Sequence, residues 1–167
     1  MILTIHNCPD EKFEEIVDSS VHYFASNLIG KNILKSITIN LKFVEKLDSY
    51  GTSLVTGYNS SGKPRVFEIE VRNHLNAKTT LKTIAHEIVH IKQFAKNEVD
   101  PPLTKWKGKK IDTKKVEYYK LPWEIEAYGL TYGLYINFCI ENKLWEHLKG
   151  IENPYETRKE KITWKDK

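Results

Sequence analysis

The run His86-Glu87-Ile88-Val89-His90 sets two imidazoles four residues apart, with a carboxylate directly after the first. In a helix that spacing stacks both histidines on one face, one turn apart. Two neutral nitrogens can then share one metal ion. Glu87, rotated by about 100° from His86, reaches a water on that metal without competing for it. Two nitrogen ligands, an open position for water and a carboxylate to take its proton are what a zinc-dependent hydrolase needs. The competing reading is a pair of core histidines with hydrogen-bond partners beside a surface glutamate. Burying all three groups on adjacent helix positions without such pairing costs on the order of several kcal/mol.

A catalytic zinc usually takes three protein ligands. Candidates for the third are His6, His22, His74, His147 and the carboxylates. The best of them lie in Leu121-Pro122-Trp123-Glu124-Ile125-Glu126-Ala127-Tyr128, which opens a second helix. Glu124 and Glu126 point roughly 200° apart on a helix, so only one can face the metal. Each also has an ordinary explanation, Glu124 as a first-turn carboxylate at the positive helix end and Glu126 as a solvated side chain.

The elements that position these residues follow from periodicity. Leu81, Ile84, Ala85, Ile88, Val89, Ile91 and Phe94 surround the motif, predicting a largely buried helix over 76–97. Pro122 suits a first helical turn, and the second helix runs to about Asn142. Upstream, Ile2 to Ile5 predicts a short strand. Phe13, Ile16, Val17, Val21, Phe24 and Leu28 predict an amphipathic helix from Asp10 to Asn27, with Gly30 as a stop. Alternation in 37–43, 51–58 and 66–73 predicts three strands joined by short turns, hence an antiparallel sheet or a mixed sheet with an antiparallel part. The chain reads as one domain over 1–167: helix and sheet (1–75), motif helix (76–97), basic loop (98–121), third-ligand helix (122–142) and charged tail (143–167).

H-E-x-x-H on one helix and a glutamate on the next resembles the glutamate-ligand zinc metallopeptidases, the gluzincins. Glu124-Ile125-Glu126-Ala127 fits the E-x-x-A pattern of Ste-type and ImmA/IrrE-type proteases, which implies Glu124 as the ligand. A thermolysin-like pattern, with the glutamate directly before an alanine, implies Glu126 instead. Those families often carry Asp or Asn four residues after the ligand, where this chain has Tyr128 after Glu124, or Leu130 after Glu126. Residues 86–128 are also similar to small phage and bacterial metallopeptidase-like proteins, some of them SprT-like, although SprT-like proteases use a third histidine and none follows His90 before His147. The resemblance implies a zincin-like α+β fold: a small, mostly antiparallel sheet packed on the motif helix, the second ligand helix and the N-terminal helix. It also implies that Val66 to Asn73, the last strand before the motif helix, is an edge strand along the cleft, to which a peptide could add by main-chain hydrogen bonds; the plainer reading is an ordinary edge protected by Glu68, Glu70 and Arg72. It also implies a zinc-dependent endopeptidase in which His86, His90 and Glu124 hold Zn²⁺ and Glu87 is the general base. Tyr118, Tyr119, Tyr128 and His74 are candidate donors to the oxyanion.

Composition narrows the setting. A net charge of +4 over 167 residues does not by itself indicate nucleic acid. Lys105, Lys107, Lys109, Lys110, Lys114 and Lys115 around Trp106 nevertheless keep a nucleic-acid-associated protease as an alternative. Another is a zinc-stabilised binding or regulatory protein without turnover. The two cysteines, Cys8 and Cys139, are too few for a disulfide framework and predict a reducing compartment. No signal peptide or membrane span is read, so the expected setting is the cytoplasm, a host's if the source is viral, with a protein or peptide as substrate. Residues 98–120 are long enough to cover the cleft as a lid or latch.

Overall fold

The computed structural model describes residues 1–154. Strand β1 (Ile2–His6) leads into α1 (Glu11–Leu28), whose start is capped by the Asp10 carboxylate accepting from the Phe13 amide at 2.8 Å. A single turn, α2 (Lys31–Leu34), precedes β2 (Thr38–Val44), β3 (Gly51–Tyr58) and β4 (Pro64–Arg72). The motif helix is α3 (Ala77–Ala95), capped by Asn76 accepting from Thr79 N. Two-residue strands β5 (Lys105–Trp106) and β6 (Lys109–Lys110) and a 3-10 turn at Tyr118–Lys120 lie between it and α4 (Pro122–Asn142), which is followed by a 3-10 turn at Leu144–Glu146. All three predicted long helices form within two residues of their expected ends. The charged tail expected at 143–167 lies mostly outside the described residues.

The sheet departs from expectation in two ways. It is not mostly antiparallel: in the order β1-β2-β4-β3, β1–β2 and β2–β4 are parallel and only β3–β4 is antiparallel. The physical reason is connectivity. α1 crosses over between β1 and β2, which permits parallel pairing, while only β3 and β4 are joined by a tight turn. Nor is β4 the edge. It lies between β2 and β3, and β3 is the edge strand on the α3 side.

One sheet face is covered. Ile39, Leu41, Phe43, Phe67, Ile69 and Val71 are buried against α1 and α3, and a single cluster joins them to Phe24, Trp123 and Phe138. Alternate residues such as Glu68, Glu70 and Arg72 point to the other face. Within the cluster Phe24 and Phe138 pack edge-on at 5.5 Å between centroids, locking α1 to α4. Arg65, buried at the start of β4, donates to Ala95 O at 2.9 Å and so binds the C-terminal end of α3 to the sheet.

Candidate metal centre

α3 is apolar nearly all round, which places it in the core and leaves His86 and His90 only partly buried on the side that faces α4. On α4, Glu124, Ala127, Thr131 and Tyr135 recur at three- and four-residue spacing and form the buried stripe that meets α3. Three groups converge where the two stripes meet. His86 Nε2 lies 3.2 Å from His90 Nε2, 3.4 Å from Glu124 Oε2, and His90 Nε2 lies 3.5 Å from Glu124 Oε1. Ligand atoms bonded to a tetrahedral zinc at about 2.0–2.1 Å lie about 3.3–3.4 Å apart, so the spacing fits such an ion. Among the described residues, His86, His90 and Glu124 form the His/Cys/Asp/Glu group that could hold a metal.

The hydrogen bonds behind the histidines decide which nitrogen carries the lone pair. Gln93 is fully buried, and its amide nitrogen donates to Trp123 O at 2.9 Å and to Glu126 Oε2 at 3.0 Å. Its oxygen therefore faces His90 and accepts from Nδ1–H at 2.9 Å. The Thr131 hydroxyl donates to Ala127 O at 2.7 Å, so its oxygen lone pair accepts from His86 Nδ1–H across a longer 3.4 Å. Both imidazoles thus carry their proton on Nδ1 and aim an Nε2 lone pair into the same space. Two lone pairs 3.2 Å apart beside a carboxylate repel one another unless a cation lies between them. Glu124 Oε2, buried without a hydrogen-bond partner, makes the same demand. Without a metal, protons on the histidines meet the same demand: burial alone would raise the Glu124 pKa, but hydrogen bonds from protonated His86 and His90 and from the Tyr118 hydroxyl bring it to about 2, so the carboxylate is an anion whose space takes either a proton or a metal.

Glu126, the alternative ligand, is turned away. Its Oε2 accepts from Lys92 Nζ at 2.8 Å as well as from Gln93, and Lys92 also reaches Glu98 at 2.6 Å. Glu126 is thus two bonds behind His90, and Lys92, unusual at this point of such a helix, is its counter-ion. His6, His22, His74 and His147 are all exposed and stand apart from the site.

Glu87 sits beside the triad with 5% of its surface exposed. Burial pushes its pKa above the ordinary carboxylate range, against the pull of His90 and His86 and a hydrogen bond from Ser53. Ser53 belongs to the edge strand, and Gly51 at the start of that strand approaches so closely that an added Cβ would lie 3.3 Å from Glu87 Oε1. His86 and Glu87 open into a cleft of about 470 Å³ between β3, α3 and α4. Of the four expected oxyanion donors, Tyr118 and Tyr128 line this cleft, whereas Tyr119 and His74 do not. Tyr128 also lays its ring against His86 at 4.6 Å.

The loop 98–121 carries Tyr118 into the cleft wall and is tied down by Lys92–Glu98 and by Lys107–Glu126 at 3.5 Å. Trp106 is half-buried against the core with Lys107 Nζ 4.6 Å from its ring centre.

Gln93 and Thr131 were not foreseen, yet both carried a signal. Gln93 follows His90 by three positions and Thr131 follows Glu124 by seven, so each shares the face of its ligand. Ser53 and Gly51 carried none, because only the sheet order brings them to Glu87. Comparison with protein-family models, curated proteins and solved structures gave no significant match. Among the described residues, no helix is long and apolar enough to cross a membrane.

Proposed function

We propose that this chain is a zinc-dependent peptidase of the gluzincin kind, with His86, His90 and Glu124 as the metal ligands and Glu87 as the general base. The observation that carries the reading is the convergence of two Nε2 lone pairs and one buried carboxylate at tetrahedral spacing, with Glu87 next to them and an open cleft in front. Three protein ligands leave a position free, which is the signature of a catalytic rather than a structural zinc site.

When bound, zinc supplies a Lewis acid that polarises the scissile carbonyl and brings the pKa of water towards ~7. The remaining chemistry belongs to the chain. Glu87 takes one proton from the attacking water and delivers it to the amide nitrogen as the C–N bond breaks. Its raised pKa suits the first half of that role, since an ordinary carboxylate is a weaker base and would take the proton of the water less readily. Tyr118 and Tyr128 line the cleft; the Tyr118 hydroxyl is engaged by Glu124, which makes Tyr128 the stronger candidate to donate to the oxygen that gains charge in the transition state. The open edge of β3 beside Glu87 offers main-chain groups to an extended substrate, a role expected of β4 from the sequence.

The test is metal analysis of the purified protein together with hydrolysis of denatured casein. One zinc per chain and chelator-sensitive cleavage are expected. Glu87→Gln should keep the zinc and lose activity by roughly 10²–10⁴-fold, the usual contribution of a general base. Equal activity in Glu87→Gln would sink the mechanism. Zinc without any cleavage would favour the non-hydrolytic binding protein.

A further inference from the structure

The cleft does not end at the metal ligands. It continues along the N-terminal half of α3, where Lys82 and Lys78 stand one and two turns before His86 on the same helical stripe. Lys82 is half-buried. Its ammonium lies 5.9 Å from the centre of the Tyr132 ring, and among the described residues it has no carboxylate partner. Lys78 pairs with Glu152 at 3.2 Å, a contact exposed enough to be exchanged. Among the described residues lining the cleft, Glu87 is the one carboxylate, and it stands at the metal end. Ser49, Thr79 and Tyr132 add hydroxyls to the walls, and the positive end of the α3 dipole lies at the same end as Lys78.

We infer that this arm of the cleft is a carboxylate-recognising subsite, in which Lys82, assisted by Lys78, selects peptides that carry an acidic group to one side of the scissile bond. A half-buried ammonium with no anion of its own gains more from an incoming carboxylate than a solvated surface lysine does. The distance is set by the helix. Lys82 is about 6 Å and Lys78 about 12 Å along the axis from His86. An extended peptide advances about 3.4 Å per residue, so the acidic group falls about two to four residues from the carbonyl that is cut. The acid can be a Glu or Asp side chain, or the C-terminal carboxylate of a short product-like peptide.

The inference rests on the peptidase reading for its purpose, so its test reads binding separately from turnover. The protein is the full chain carrying Glu87→Gln with zinc restored. The probes are fluorescent octapeptide pools with both ends blocked, in which one position at a time is fixed as Glu, as Gln or as Lys. A parallel set has no fixed acid but a free C-terminal carboxylate. The expected result is a roughly tenfold preference for Glu over Gln at one or two adjacent positions, the scale of one charge-assisted contact. Lys82→Met should erase that preference and Lys82→Glu should turn it towards a fixed Lys, with zinc content unchanged in both. Preference confined to the blocked Glu pools assigns an internal acidic residue, and preference confined to the free-end set assigns a chain terminus. Equal binding of Glu and Gln pools, or a preference that survives Lys82→Met, overturns the subsite. If the wild-type protein cuts no peptide but the preference is present and depends on Lys82, the peptidase reading fails and the carboxylate subsite stands.

Discussion

At the residue scale, Gln93 explains more of the site than its neutral side chain suggests. Its two donations fix the orientation of its own oxygen, and that oxygen fixes the His90 tautomer. Gln93→Leu keeps the volume of a fully buried side chain and removes this control. Zinc affinity should fall roughly 10–100-fold, the range seen when the partner of a ligating histidine is lost. Thr131→Val should cost less, since its contact to His86 is longer at 3.4 Å. Competition titration with a chromophoric chelator measures both, and equal affinity in Gln93→Leu would show that His90 is oriented by something else. The grouping of the proposed ligands was legible because helical spacing alone puts His86 beside His90, and the choice of Glu124 followed from the resemblance to E-x-x-A sites. Glu126 remained open in the sequence because nothing there shows that Lys92 claims it. That pairing needs α3 and α4 to be side by side.

At the scale of elements, the proposed general base, Glu87, depends on how closely β3 approaches α3. Gly51 begins the edge strand with no Cβ to hold it off, and an alanine there would collide with the Thr83 methyl group and press on Glu70 O at 3.2 Å. Overpacking of this kind typically costs about 1–3 kcal/mol. Gly51→Ala should therefore lower stability by that amount and reduce hydrolysis, because Glu87 shares the contact. Adding Thr83→Ser removes the colliding methyl and should recover most of the stability, read by urea denaturation. A neutral Gly51→Ala, or a double variant no better than the single one, would mean the strand has room to move. The helices were readable because caps and apolar stripes are local: Asp10, Asn76 and Pro122 each mark a start. The sheet was not. Alternation in β4 reports which face a residue takes, not where the strand sits in the order. Glu68, Glu70 and Arg72 lie on the face away from the helices, and the same pattern would appear in a central or an edge strand. The edge assignment for Val66–Asn73 came from the likeness to zincin folds, and the mostly antiparallel sheet from that likeness and the short turns between strands; alternation could correct neither.

At the scale of the whole molecule, the candidate metal site is the point where two halves of one core are joined. His86 and His90 come from a helix bound to the sheet and to α1, whereas Glu124 comes from α4, which follows the long loop. The core does not rely on that junction alone. Phe24 and Phe138 bridge α1 and α4, Gln93 bonds to Trp123 O, and Lys92 pairs with Glu126. Removing zinc should therefore loosen the fold without abolishing it, unlike a small zinc module that has no other core. Stabilisation by a ligand that binds only the folded state is about 2.7 kcal/mol when free ligand is at 100 times its dissociation constant. A domain of this size shifts by about 2–4 °C per kcal/mol. Chelation should thus lower Tm by about 5–11 °C, and Tm should climb again with the logarithm of added zinc. Glu124→Gln should flatten that dependence, because the remaining pair of histidines binds zinc weakly, while the apo Tm stays close to that of the apo wild type. Complete unfolding on chelation would show that the aromatic and polar bridges between α1, α3 and α4 do not hold the core by themselves. A Tm indifferent to both chelator and zinc would remove the metal from the site.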